Sequence, residues 1–487
     1  MNRLYFFTVL ILMALPTTCI ALPDSNQIEF SNCMLALPGT SLTASARCGS
    51  LEVAENPADP DGRKISLNIA VAPATGKSAE PDPVFFFAGG PGQAASETWV
   101  MIRSTLNKIR KKRDIVMVDQ RGTGGSNKLA CKSEVDEDLN KEIDFELVRS
   151  ETEKCLAELD GDLRFYTTTI AMGDYNRVRE AMGYDRINVM GVSYGTRAAQ
   201  VYLRLFPETV RTVTLDSVVP MQLSLGQEHS LMLDQSVRRV FNDCAEDKAC
   251  NALFPNQMEE LNQLFMQLQQ EPRQITITDP VSGQPMDMHL TSDTLAVAIR
   301  FLSYASETQA MIPLLVHEAV HTGDLSRLAS QAILVMTGLS EMLSKGMELS
   351  VMCSEDYPYM DFSADYSHTL MGNLMMKIID LQCGIWPRGD VPGGFHEPVL
   401  SDIPVLLMSG ERDPVTPPHY ASMAARGFSN SLNLVARGQA HSVMNNICLR
   451  DITTAFIAMG SVEELNTDCV SNILPAPFFT SLLGPNP

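Results

Sequence analysis

The pentapeptide Gly191-Val192-Ser193-Tyr194-Gly195 sets a serine between two glycines, two positions to either side. The apolar run Arg186–Met190 precedes it and reads as a strand, while 193–206 reads as a helix. A serine on a sharp strand-to-helix turn needs small neighbours and projects its hydroxyl above a sheet. It also sits at a helix N-terminus, where partial positive charge favours a developing anion. A serine hydroxyl is a weak nucleophile at neutral pH and needs a base. Around such a turn the partners follow in the order serine, acid, histidine.

Three histidines lie far enough along the chain: His396, His419 and His441. His441, in Gly438-Gln439-Ala440-His441-Ser442, lies on a loop after the last strand and is the expected base. His396 comes before the penultimate strand, and His419 follows two prolines at the start of a helix. For the acid, the strand Pro404–Met408 runs into Ser409-Gly410-Glu411-Arg412-Asp413-Pro414. Asp413 is the first choice, because it lies just past the strand and Pro414 stiffens the turn. Glu411 and then Asp216 are the alternatives. The acid would orient the imidazole and stabilise its protonated form. Two backbone donors complete an oxyanion hole: the N–H of Tyr194, and one from the glycine loop Gly89-Gly90, with Gly90 preferred.

The elements that must hold these residues alternate. Short runs at 50–54, 64–72, 84–87, 114–118, 186–190 and 210–215 read as strands, and 169–182 as a helix. Strand and helix resume at 403–409 and 431–435, which together predict a mostly parallel α/β sheet with flanking helices. Between them, strands nearly vanish and methionine-rich helical sequence takes over. The expected organisation is a segment 1–21 ahead of the fold, a first core part at 22–219, a helical cap at 220–395, and a second core part at 396–487. For 487 residues with 45% apolar content, one large core with an insertion is the natural size.

The N-terminus has the form of an export signal. Arg3 precedes the apolar run Leu4–Leu15, which is too short to span a bilayer, and Cys19-Ile20-Ala21 fits a cleavage point after Ala21. A secreted or periplasmic location is expected; lipid attachment at Cys19 is the weaker reading, since Pro16-Thr17-Thr18 suits it poorly. Of 11 cysteines, 10 remain beyond the signal, in near-neighbour sets. Short-loop disulfides are the simplest pairing, though sequence does not fix connectivity. The net charge of −21 argues against nucleic acid and anionic membrane surfaces as partners. Nothing calls for a cofactor, and no metal is assigned.

Four blocks together resemble a known family: FFFAGGPGQ (85–93), VDQRGTGGS (118–126), GVSYGTRAA (191–199), and SGERDPVTPP with GQAHS (409–418 and 438–442). They recur in the proline-iminopeptidase and tripeptidyl-aminopeptidase family of α/β-hydrolases, and the tripeptidyl branch fits better. The resemblance implies an α/β-hydrolase fold and an exopeptidase acting on peptides with a free N-terminus, releasing tripeptides or proline. It assigns Ser193, Asp413 and His441 as the triad, with Gly90 and Tyr194 as donors. Iminopeptidases usually carry His before GGPG; this chain has Ala88. The resemblance also suggests Glu355, with Asp356 second, as the acid that holds the substrate ammonium. Asp119 and Arg121 read as an ion pair bracing their loop, with a place in the pocket lining as the alternative.

Three rivals remain. The same triad would serve a carboxylesterase or lipase. His317-Glu318-Ala319-Val320-His321 matches the zinc-peptidase pattern H-E-x-x-H, with Glu318 as its base, but Gly323 ends the helix and no third ligand is evident. A non-catalytic peptide-binding scaffold is the third, and the presence of all three triad residues argues against it.

Overall fold

The structure is a computed structural model, and it describes residues 28–131, 144–280 and 282–485. The proposed export signal lies outside the described residues.

Eleven strands are present in this part: β1 (Ser31–Ala36), β2 (Thr43–Ala54), β3 (Lys64–Ala72), β4 (Val84–Phe87), β5 (Ile115–Val118), β6 (Ile187–Val192), β7 (Val210–Asp216), β8 (Arg273–Thr278), β9 (Pro285–Leu290), β10 (Val405–Gly410) and β11 (Ser431–Ala436). Nine of them form one sheet in the order β1-β2-β3-β5-β4-β6-β7-β10-β11. The pairs from β1 to β5 through β3 are antiparallel; those from β5 to β11 are parallel.

Strands covered on both faces need apolar residues at every position. β4 is Val-Phe-Phe-Phe and β5 is Ile-Val-Met-Val, all eight buried. Because side chains alternate between faces, Phe85, Phe87, Val116 and Val118 join one core with the helices Thr168–Ala181 and Tyr194–Leu205. Val84, Phe86, Ile115 and Met117 join the opposite core with the helices Ala95–Ile102 and Ile447–Met459. The sheet is thereby sandwiched, and its strand ends are fixed from both sides.

The long stretch between β7 and β10 is mainly helical, with a core of its own that includes Leu233, Val240, Leu261, Leu302 and Leu315. It also contains an antiparallel hairpin, β8–β9, that the sequence reading left out. Ile277 on one strand and Met288 and Leu290 on the other turn into this second core. The alternation is short, and its apolar side is part methionine, a residue equally at home in helices. β1 and the first half of β2 also went unforeseen, because their inward residues Ala44 and Ala46 are small.

Five disulfides join Cys33–Cys48, Cys131–Cys155, Cys244–Cys250, Cys353–Cys383 and Cys448–Cys469. They fit an oxidising compartment such as the periplasm or the exterior. Among the described residues, no helix is long and apolar enough to cross a membrane.

Candidate active site

The end of β6 is a tight corner. Ser193 has φ 56° and ψ −127°, a conformation that costs an L residue energy and persists only where its surroundings impose it. Those surroundings are visible. A methyl group on Gly191 would stand 2.2 Å from the Gly195 carbonyl oxygen, and one on Gly195 would stand 2.1 Å from the Phe87 carbonyl oxygen. The chain can turn only because both positions lack a side chain. The Ser193 N–H donates to the Asp216 carbonyl at 2.9 Å, and its own carbonyl accepts from Thr196 N at 2.8 Å. Tyr194 opens the following helix, so its N–H has no acceptor within that helix.

The glycine loop after β4 lies against this corner. A methyl on Gly89 would come 3.3 Å from Ser193 Cβ, and Gly90 holds φ +108°.

The loops after β10 and β11 meet each other. His441 donates from Nδ1 to Asp413 Oδ2 at 2.8 Å. Asp413 is buried and also accepts from Val415 N at 2.9 Å, from Thr416 N at 2.8 Å and from the Thr416 hydroxyl at 2.8 Å. Burial works against the Asp413 charge, yet His441 and these donors together hold its carboxyl below the ordinary range. Burial likewise pulls the His441 imidazole down, but the charge and hydrogen bond of Asp413, with Asp216 beyond, leave it raised overall. His441 N–H donates to the Tyr304 carbonyl at 3.1 Å, and the two rings meet edge-on at 5.4 Å.

The alternatives for the acid are engaged elsewhere. Glu411 pairs with Arg239 and accepts from Gly438 N. Asp216 accepts from Val443 N at 2.9 Å, Met444 N at 3.0 Å and the Ser442 hydroxyl at 3.2 Å. It thus secures the loop that bears His441, while its backbone carbonyl secures Ser193. Its position at the end of β7 was a sequence signal; this double duty was not. His396 bonds two backbone carbonyls, those of Met221 and Glu355, and His419 is exposed beside Tyr420.

Glu355 and Asp356 are both fully buried. Glu355 accepts from Thr168 N at 2.5 Å and from the Thr168 hydroxyl at 2.8 Å. The Thr168 hydroxyl meets Tyr194 OH at 2.6 Å, and Gln120 Nε2 donates to Tyr194 OH at 3.0 Å. A relay therefore runs from Gln120 through Tyr194 and Thr168 to the Glu355 carboxylate. Burial and the neighbouring Asp356 charge push the Glu355 carboxyl up to about 7. Asp356 pairs with the buried Arg197 at 2.6 Å. Gln120 lies within the VDQRGTGGS block, whereas Thr168 carried no motif that could have marked it.

Asp119 and Arg121 do not pair with each other, contrary to the sequence reading. Arg121 takes Asp174 at 2.7 and 2.9 Å, whereas Asp119 accepts from Ser96, Asn68 and Gly125. Both brace the loop, by separate partners, because the two side chains, with Gln120 between them, meet different surroundings.

Two family models match this chain. Residues 82–263 match the alpha/beta hydrolase fold family, and residues 368–469 match the TAP-like protein family. The serine protease Hip1 of Mycobacterium tuberculosis is 22% identical over 478 residues, covering 91% of each chain. The tripeptidyl aminopeptidase of Streptomyces lividans is 24% identical over 480 residues, covering 88% of this chain and 85% of that one. A crystal structure of proline iminopeptidase from Mycobacterium smegmatis aligns over 84% of this chain and 98% of that one, at 15% identity and a TM-score of 0.41. This chain is an α/β-hydrolase with a TAP-like C-terminal segment. It is an enzyme of the serine peptidase and hydrolase kind.

Proposed function

We propose that the chain is an exported serine exopeptidase that releases short peptides, tripeptides first, or N-terminal proline from peptides with a free N-terminus. The 2.8 Å contact between His441 Nδ1 and Asp413 Oδ2, on loops beside the Ser193 corner, carries the reading. In it, Ser193 Oγ attacks the scissile carbonyl while His441 Nε2 takes the proton and later gives it to the leaving amine. Asp413 keeps the proton on Nδ1 and stabilises the imidazolium. The N–H groups of Tyr194 and Gly90 receive the oxyanion. Water then releases the acyl group from Ser193.

Relatives named as a tripeptidyl aminopeptidase and a serine protease support peptides as the substrate class. Glu355 is the proposed anchor for the substrate ammonium: it is an acid linked through Thr168 to Tyr194, the residue next to the nucleophile. Asp356, paired with Arg197, is the second candidate.

Matched peptides with free and N-acetylated termini test the reading, with products identified by mass. Tripeptides or proline should leave the free peptides only. Equal cleavage of both sets, or hydrolysis confined to esters, would overturn it.

A further inference from the structure

The H-E-x-x-H segment is left over from this chemistry. His317 and His321 lie one turn apart on the helix Ile312–Thr322, in the stretch between β7 and β10. The third ligand that the sequence did not reveal comes from the helix Gln257–Gln270. Glu260 Oε1 lies 3.0 Å from His317 Nδ1 and 3.0 Å from His321 Nε2. Among the described residues, this is the one group of three His, Cys, Asp or Glu side chains whose ligand atoms all fall within 4.8 Å of one another.

From this geometry we infer that Glu260, His317 and His321 form a binding site for a borderline divalent cation, Zn²⁺ first, with a structural rather than a hydrolytic role. Two imidazoles and one carboxylate are a preferred Zn²⁺ donor set, and bonds of about 2.0–2.1 Å place tetrahedral ligands about 3.3 Å apart. Glu260 and each histidine need to part by only a few tenths of an ångström. Glu260 is 9% exposed and its bonded side-chain partners are the two histidines and Gln257, with no lysine or arginine among them. A cation would supply that missing charge. His321 is 57% exposed, which leaves water access to a fourth position. Phe254 packs on the His317 ring at 5.1 Å and limits its movement.

The peptidase form of such a site needs a general base beside the metal-bound water. Glu318 is committed to Arg327 at 2.7 Å. The cation would instead pin two cap helices together, in the way structural zinc contributes to folding.

The test uses untagged full-length protein, stripped with chelator and titrated with Zn²⁺ against a chromophoric competitor. One equivalent should bind and raise the melting temperature. His321→Ala, at an exposed position, should weaken binding at least about 100-fold. Glu260→Gln should do the same, and Co²⁺ substitution should give the intense visible bands of a tetrahedral site. Peptide cleavage at Ser193 should survive chelation, which separates this site from the hydrolase reading. Absence of saturable binding, or binding unchanged by both substitutions, overturns the proposal.

Discussion

The Ser193 corner and the Glu260–His317–His321 cluster both begin as five-residue patterns, and the fold treats them differently. At Ser193 the backbone is the constraint. Gly191 and Gly195 sit against carbonyl oxygens that no side chain could share, and φ is positive at the serine itself. On the helix Ile312–Thr322 the backbone is regular and makes no such demand, so His317 and His321 acquire meaning only through a partner 57 and 61 residues earlier. A motif that is costly for the main chain is informative by itself. A motif carried on a regular helix depends on what faces it.

The largest effect that could break this contrast is at the nucleophile. Ser193→Ala should lower kcat by about 10⁵–10⁶-fold and abolish labelling by a serine-reactive phosphonate. Residual labelling of the variant would mean that the corner is structural only. Asp413→Asn should cost about 10⁴-fold with the fold intact. It also bears on pH. Only neutral His441 accepts the serine proton, and Asp413 raises its pKa, so the acid limb of kcat/KM should lie above the ordinary imidazole value of 6.5. The asparagine variant should move that limb downward, and an unmoved limb would dissociate Asp413 from His441.

Gly195→Ala tests the backbone half of the comparison. With Phe87 O in the way, it should destabilise the protein by about 3 kcal/mol in urea unfolding, the upper end of overpacking costs. A neutral result would show that the corner yields more readily than its contacts imply. Glu355→Gln should reduce kcat/KM for free-N-terminus peptides by about 10–100-fold, through KM, because a charge-assisted hydrogen bond is lost. Since Glu355 loses its charge as pH falls through about 7, wild-type KM should rise there and the variant should show no such rise. Identical KM profiles would remove Glu355 from substrate binding. The smallest effect sharpens the helix side. Glu318→Gln should leave both peptide cleavage and Zn²⁺ affinity within about twofold, as fits an exposed ion pair with Arg327.

The sheet was legible where both faces are covered. β4 and β5 are unbroken apolar runs, and the order Ser193, Asp413, His441 follows from the ends of β6, β10 and β11. Legibility failed where the signal was weak or distributed. β8 and β9 alternate over only six residues each. Asp216 holds the His441 loop through backbone N–H groups, which no side-chain pattern reports. Arg121 found Asp174 rather than its near neighbour Asp119, because sequence proximity says little about which way two turn residues face. Glu260 could not be linked to His317 without knowing that their helices pack.

The disulfides carry a consequence for synthesis. Along the described chain each bonded cysteine is joined to the next one, and no bridge encloses or interleaves with another. For a chain delivered N-terminus first into an oxidising space, the native partner is always the thiol that arrived just before. Simple oxidation in order of arrival then yields the correct pattern, and no step of reshuffling by an isomerase is required.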